Sequence, residues 1–264
     1  MSGSVPPAID WSRPWLAPYH TCGERTSAAV AAGASVAEAL QAELERDSPA
    51  IRLNAGRLRF VPAAALPPGM AYESHIAASA CVPTRDNLHD LFNGLVWLHH
   101  PALKRQLNEW HAAEIERRGI AAERGAIRDA LTLFDENGAL LSAPSTLVDA
   151  LRARDWPSLF VERRAEWQHA SLTLFGHALL EKLVSPRKPI TAHVLIVDEG
   201  RDPFAGLGPQ RLADKPFLPL PVLGVPGWWP ANTVPGFYDD PEVFRPIRSA
   251  GSHRSTGSAR RCRS

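Results

Sequence analysis

Between Tyr72 and Asn137 polar and titratable side chains interrupt otherwise apolar runs. The segments YESHI, VPTRDNLHDLFNGLVWLHHP, HAAEI and RDALTLFDENG carry Glu73, His75, Asn87, His89, Asp90, Asn93, His99, His100, His111, Glu114, Arg128, Asp129, Asp135 and Glu136. Burying a polar group without a partner is costly, so this density marks a candidate site. His89 and Asn93 are one helical turn apart and project from one side of their helix, with Asp90 about 100° further round. An imidazole beside a carboxylate can bind a divalent metal or serve as a proton-transfer base. The competing reading is a closed polar network at the corner formed by Pro83 and Thr84, with Asp86 or Thr84 capping the helix.

Other groups carry weaker signals. His111 and Glu114 form a His-x-x-Glu pair, the reverse of the Glu-x-x-His of carboxylate-bridged bundles. No second such helix exists, and a solvated His–Glu contact on an amphipathic helix is the simpler account. His99 and His100 suit the negative end of a helix. Asp135 and Glu136 can present hard oxygen ligands to Mg²⁺, yet DENG is also a turn sequence. Glu136 and Asn137 are therefore read as turn residues, and Asp135 is kept because it ends an apolar run. Arg128 can pair with Asp129 or Glu73, or hold a substrate anion in a bidentate grip. His177 lies in LTLFGHALLEKL with Glu181 one turn later, and Gly176 permits close backbone approach. It becomes a ligand if it converges on His89 and Asp135. The candidate catalytic set is His89, Asp90, Asn93, Arg128 and Asp129; the candidate metal set is His89, Asp135, His177 and Glu73.

These residues need elements to hold them. Ser35 followed by Glu38 predicts a capping box opening a helix over VAEALQAELERD. RLRFV, Arg57 to Val61, alternates as a strand, and Ala71 to Ile76 reads as a second strand. Asp86 to Leu98 and Pro101 to Arg118 read as two helices joined by a short corner, followed by a loop between Gly119 and Gly125. Asn137-Gly138 between apolar runs predicts a hairpin of Leu131–Phe134 and Ala139–Leu141. Ser145 opens the helix TLVDALRAR, Glu162 to Leu183 reads as mostly helical, and Ile190 to Val197 is the clearest strand. Residues 1–34 are irregular at first, since PPAIDWSRPWLAPY has too many prolines for a helix, and Trp11 and Trp15 pin this arm. The Pro- and Gly-rich stretch Asp202–Ile247 is aromatic enough to pack rather than dangle. The expectation is one α+β, helix-rich domain over residues 1–248 with a small, mostly antiparallel sheet and Pro/Trp-rich wrapping segments. Residues 249–264, poor in apolar content, read as a disordered tail.

The chain has 264 residues, a formal net charge of +1, 24 prolines and 8 tryptophans. This balance gives no electrostatic signal for nucleic acid or an anionic membrane. Cys22, Cys81 and Cys262 are scattered, which excludes a disulfide framework or a cysteine-based zinc site. No apolar run approaches a membrane span and no secretory leader is read at the start, so a cytoplasmic protein is expected. GxGxxG, P-loop, GxSxG, HExxH and zinc-deaminase signatures are absent, which argues against the enzyme classes built on them.

The runs VPTRDNLHDLFNGLVWLHHP, RDALTLFDENGALL and FGHALLEKLVSPRKPITAH resemble the signature segments of a bacterial family of unknown function, DUF3025. The resemblance runs from about Trp11 to the early two-hundreds and implies a cytoplasmic bacterial protein, without assigning chemistry. From the residues themselves, the leading expectation is a metal-dependent hydrolase of a small anionic substrate, such as a phosphoester. A divalent ion would sit among His89, Asp135 and His177, and Arg128 would hold the anion. The rival is a non-enzymatic ligand- or protein-binding protein, with exposed Trp228-Trp229 as a partner surface.

Overall fold

Local capping and burial account for the helices that frame the site. The computed structural model describes residues 8–47, 50–119, 125–234 and 236–247. A 3₁₀ segment over Pro14–Tyr19 leads into α1 (His20–Ala31) and α2 (Val36–Asp47). Ser35 and Glu38 form the expected reciprocal box: the Ser35 N–H donates to Glu38 Oε2 at 2.8 Å and the Glu38 N–H to Ser35 Oγ at 3.2 Å. Short strands β1 (Arg52–Leu53), β2 (Gly56–Arg57) and β3 (Arg59–Pro62) precede α3 (Tyr72–Ser79), β4 (Cys81–Thr84), α4 (Leu88–His99) and α5 (Pro101–Arg118). Then follow α6 (Gly125–Asn137), β5 (Gly138–Ser142), α7 (Ser145–Ala153), β6 (Ser171–Leu174), α8 (His177–Lys182), β7 (Thr191–Ile196), α9 (Pro209–Ala213) and β8 (Leu218–Pro221).

The architecture is mixed α+β and helix-rich, as expected. The main sheet has the order β6-β5-β7-β8, and two two-stranded pieces, β1-β2 and β3-β4, stand apart. Pairing is antiparallel for β1-β2, β5-β6 and β7-β8, and parallel for β3-β4 and β5-β7. Buried Phe134 of α6 stacks on Phe175 and Phe217 at 5.3 and 5.2 Å, which seats α6 against the main sheet. No helix among the described residues is long and apolar enough to cross a membrane.

Two local expectations are overturned. Residues 71–76 lie at the start of helix α3, not in a strand. The predicted first hairpin strand is the second half of α6; Ile127, Leu131 and Phe134 follow helical spacing. Asn137-Gly138 is thus a helix end running into β5, where a Cβ on Gly138 would collide with the Phe134 carbonyl. Glu162–Leu183 is mostly helical, as expected, but broken into a 3₁₀ turn, β6 and α8. The arm holds a full helix, α1, beyond its prolines. Trp11 and Trp15 do pin it: both are buried, Trp11 beside Phe92 and Trp15 beside Trp228 and Trp229. Trp228 and Trp229 are half-buried there, and Arg13 covers Trp229, so they are not a free aromatic surface. The expected 120–124 loop, the 249–264 tail and Cys262 lie outside the described residues.

Candidate functional site

The site forms where α4, α6 and α8 meet. Asn87 caps α4, accepting from the Asp90 N–H at 2.8 Å, a role expected of Asp86 or Thr84. Asp86 instead accepts from the Val36 N–H, tying α2 to this corner. With α4 so started, His89 points toward α8. Gly176 brings α8 in: a Cβ there would lie 2.5 Å from both Asn137 N and Glu136 O. Its N–H and that of Phe175 both donate to the Gly138 carbonyl. This close approach sets His177 against the end of α6.

Two imidazoles then face each other. His89 Nε2 lies 3.0 Å from His177 Nε2, and the rings meet edge to face. His89 Nδ1 lies 2.9 Å from Glu181 Oε2. His177 Nδ1 is 3.7 Å from Asp135 Oδ2, beyond hydrogen-bond reach, and is buried without a partner. Burial pushes the His177 imidazole down to about 4, partly opposed by Asp135. Glu136 completes the group: His89, Glu136 and His177 each offer a ligand atom, all within 4.8 Å of one another.

Hydrogen positions follow from the network. Glu181, an acceptor, takes a proton from His89 Nδ1, which leaves a lone pair on His89 Nε2. With His89 neutral, His177 donates from Nε2, which turns its Nδ1 lone pair toward the Asp135 carboxylate. Two acceptors face each other, which explains the missing hydrogen bond. A cation between the Nε2 atoms reverses the His177 tautomer and gives Asp135 an N–H. Both histidines would then have the carboxylate-backed Nδ1 common around metal ligands. The residues therefore fit a divalent ion, and the orphaned Nδ1 is the observation that tests the fit.

Asp135 and Asp90 are committed. Asp135 accepts from Lys104 Nζ at 2.6 Å, and Lys104 also donates to Asn93 Oδ1 at 2.8 Å. Asn93 donates to the Tyr72 hydroxyl at 2.9 Å. Burial alone would raise Asp135, but the charges of Lys104 and His177 leave it below the usual carboxylate range. Asp90 holds Arg85 through two oxygens at 3.1 and 2.9 Å. These groups border a cavity of about 370 Å³, lined also by Tyr72, Glu73, His111 and, on an apolar flank, Ala63, Leu66 and Pro83.

Of the expected residues, His89, Asp90, Asn93, Glu73, Asp135 and His177 share this cavity. Asp135 stands outside the ligand group, 3.7 Å from His177 Nδ1. Asp129 is exposed, and Arg128 does not line the cavity; its Nε is buried without a partner. Arg85 is the guanidinium in the wall. Glu136 was missed because DENG was read as a turn; reading α6 through to Asn137 makes Glu136 helical and moves it beside His177. Glu181 serves His89 across the fold rather than His177 on its own helix. Glu114 is held by Arg117 and Arg118 at 2.9 and 2.6 Å, and the expected solvated contact with buried His111 is not made. His100 does not act as a cation at a helix end: burial pushes it down to about 4.

A family model described as "Protein of unknown function (DUF3025)" matches residues 58–248, most of the chain. The matched span starts later than the sequence resemblance did and takes in the Pro- and Trp-rich C-terminal region. No curated protein and no solved structure matches the chain. By the family match the chain belongs to that family.

Proposed function

We propose that this DUF3025 protein is a metal-dependent hydrolase whose divalent ion is held by His89, His177 and Glu136. The observation that carries the reading is the Nε2–Nε2 approach at 3.0 Å together with the unpartnered His177 Nδ1. Two imidazoles and one carboxylate suit zinc or ferrous iron better than Mg²⁺, which prefers an all-oxygen shell. When bound, the ion would supply Lewis acidity, polarising a phosphoryl or carbonyl group and acidifying water. The chain supplies the positioning: Glu181 fixes the His89 ring, Lys104 fixes Asp135, and Asp135 fixes His177. Arg85, rather than the expected Arg128, takes the anion-holding part, drawing the phosphoryl or carboxyl group of a small substrate toward the ion.

The observation favouring a non-catalytic binding protein is that Asp90, Asn93 and Asp135 are all engaged by protein partners. Elemental analysis of tag-free protein, joined to a hydrolytic screen of phosphoesters, esters and amides with zinc or ferrous iron, separates the two. Near-stoichiometric metal and a turnover lost in His89→Ala support the hydrolase. Metal without turnover on any class favours a binding protein. No metal, and no calorimetric binding of either ion, removes the proposal.

A further inference from the structure

The cavity holds more negative charge than the metal group explains. Four carboxylates line it: Glu73, Asp90, Asp135 and Glu136. Asp90 is neutralised by Arg85 and Asp135 by Lys104. Glu136 stands with the histidine pair. Glu73, in the first turn of α3, is left over: among the described residues its carboxylate has no hydrogen bond or ion pair. A negative charge suits a helix N-terminus, yet this one faces a cavity.

A second, independent feature lies beside it. His111 of α5 lines the same cavity, is only 5 % exposed, and has a buried Nδ1 with no partner. Asn108, one turn before it, donates to the Glu73 backbone carbonyl at 2.9 Å, which ties α5 to α3 and keeps His111 by Glu73. Burial depresses the His111 basicity, and in the neutral Nε2–H tautomer its Nδ1 accepts a hydrogen bond. The feature is a carboxylate with an unsatisfied imidazole, both acceptors and both without a donor. A buried polar atom left unpaired is costly, which applies to His111 Nδ1 while the partly exposed Glu73 carboxylate still meets solvent; an ammonium group, with three N–H donors and a positive charge, would serve both.

We propose that Glu73 and His111 form an amine-recognition end of this cavity, so that the ligand is a small molecule carrying a primary ammonium group. The inference rests on the metal reading only for calling the cavity a substrate chamber. Taken together, the two ends select a bifunctional substrate, with an ammonium at Glu73 and a phosphoryl or carboxyl-derived group toward the histidines. Neither a purely anionic nor an apolar ligand would meet the Glu73 end.

The test is calorimetry of the whole protein in EDTA with n-butylamine and with butyrate at pH 7.5. The expected result is saturable amine binding at least tenfold tighter than butyrate. It should fall at least tenfold in Glu73→Gln and survive in Asp129→Ala, an exposed residue outside the cavity. A carboxyl carbon shift of Glu73 on titrating amine into wild-type protein, followed by NMR, gives the same answer without a variant. Equal or tighter butyrate binding, or an unmoved Glu73 carbon, overturns the proposal. Zinc binding by wild-type protein, measured alongside, keeps the two readings apart: zinc without amine removes this inference alone, and amine without zinc removes the metal reading alone.

Discussion

The His89–His177 contact is where a single residue change reads out most directly. Glu181→Gln keeps the shape of the side chain but weakens its hold on His89 Nδ1. Loss of such an outer carboxylate costs roughly 10–100-fold in metal affinity, and competition with a chromogenic zinc chelator will register that drop. His177 also carries a pH signature. Its folded-state value is depressed from 6.5 to about 4, chiefly by burial. The folded protein therefore binds fewer protons than the unfolded chain below neutrality, and stability must rise with pH. The contribution is complete above about pH 6.5 and is lost as pH falls through about 4; at about 1.4 kcal/mol per pKa unit it amounts to about 3 kcal/mol. His100, depressed for the same reason, acts in the same window. Urea melts without metal between pH 7 and 4 should show the loss, with a shallower slope in His177→Gln. An unchanged slope would mean His177 is not buried in its neutral form.

At the scale of elements, the site depends on α8 reaching the end of α6. Gly176 has φ −66°, a conformation open to any residue, so what glycine supplies is space. The atoms a methyl group would meet, Asn137 N and Glu136 O at 2.5 Å, are backbone and cannot turn aside. Gly176→Ala should cost about 1–3 kcal/mol, typical of overpacking, measured by urea unfolding. It should also weaken zinc binding, because it parts His177 from Glu136. Lys104→Met leaves the Asp135 carboxylate without its cation, and breaking a buried pair costs about 3–5 kcal/mol. Asp135 keeps 22 % exposure, so about 2–3 kcal/mol is expected here, largely restored when Asp135→Asn is added; an additive double mutant would show that the pair does not interact. The sequence was legible where local chemistry decides: the Ser35–Glu38 box, the Pro101 start of α5 and the periodicity of α4 all specify their elements. It misled at Asn137-Gly138, where a helix end followed by a strand uses the same two residues as a hairpin turn. That ambiguity hid Glu136. Gly176 was readable as a point of close approach, and His177 as a conditional ligand. What Gly176 approaches, and that Glu181 serves His89, depends on contacts about forty and about ninety residues apart that no local pattern records.

For the whole molecule, the consequence of that long-range assembly is thermodynamic linkage. His89 and His177 are 88 residues apart in sequence and His89 and Glu181 are 92 apart. The unfolded chain therefore cannot hold the three ligand groups together. An ion that binds only the folded state stabilises it by about 2.7 kcal/mol at a hundred times its Kd. For a chain of this length each kcal/mol moves Tm by roughly 2–4 °C, so saturating zinc should raise Tm by about 5–10 °C. Mg²⁺ should do little, because imidazole is a poor ligand for it. The rise should vanish in His89→Ala and in Glu136→Gln, while Asp129→Ala, altering an exposed residue outside the cavity, should retain it. A rise of equal size in all three variants would place the stabilising ion elsewhere on the surface, and the His89–His177 contact would then be a hydrogen bond between two core-facing rings and nothing more. A rise confined to proteins with both histidines and Glu136 ties the ion to the junction of α4, α6 and α8, where segments far apart in the sequence bring the His89 and His177 imidazoles face to face.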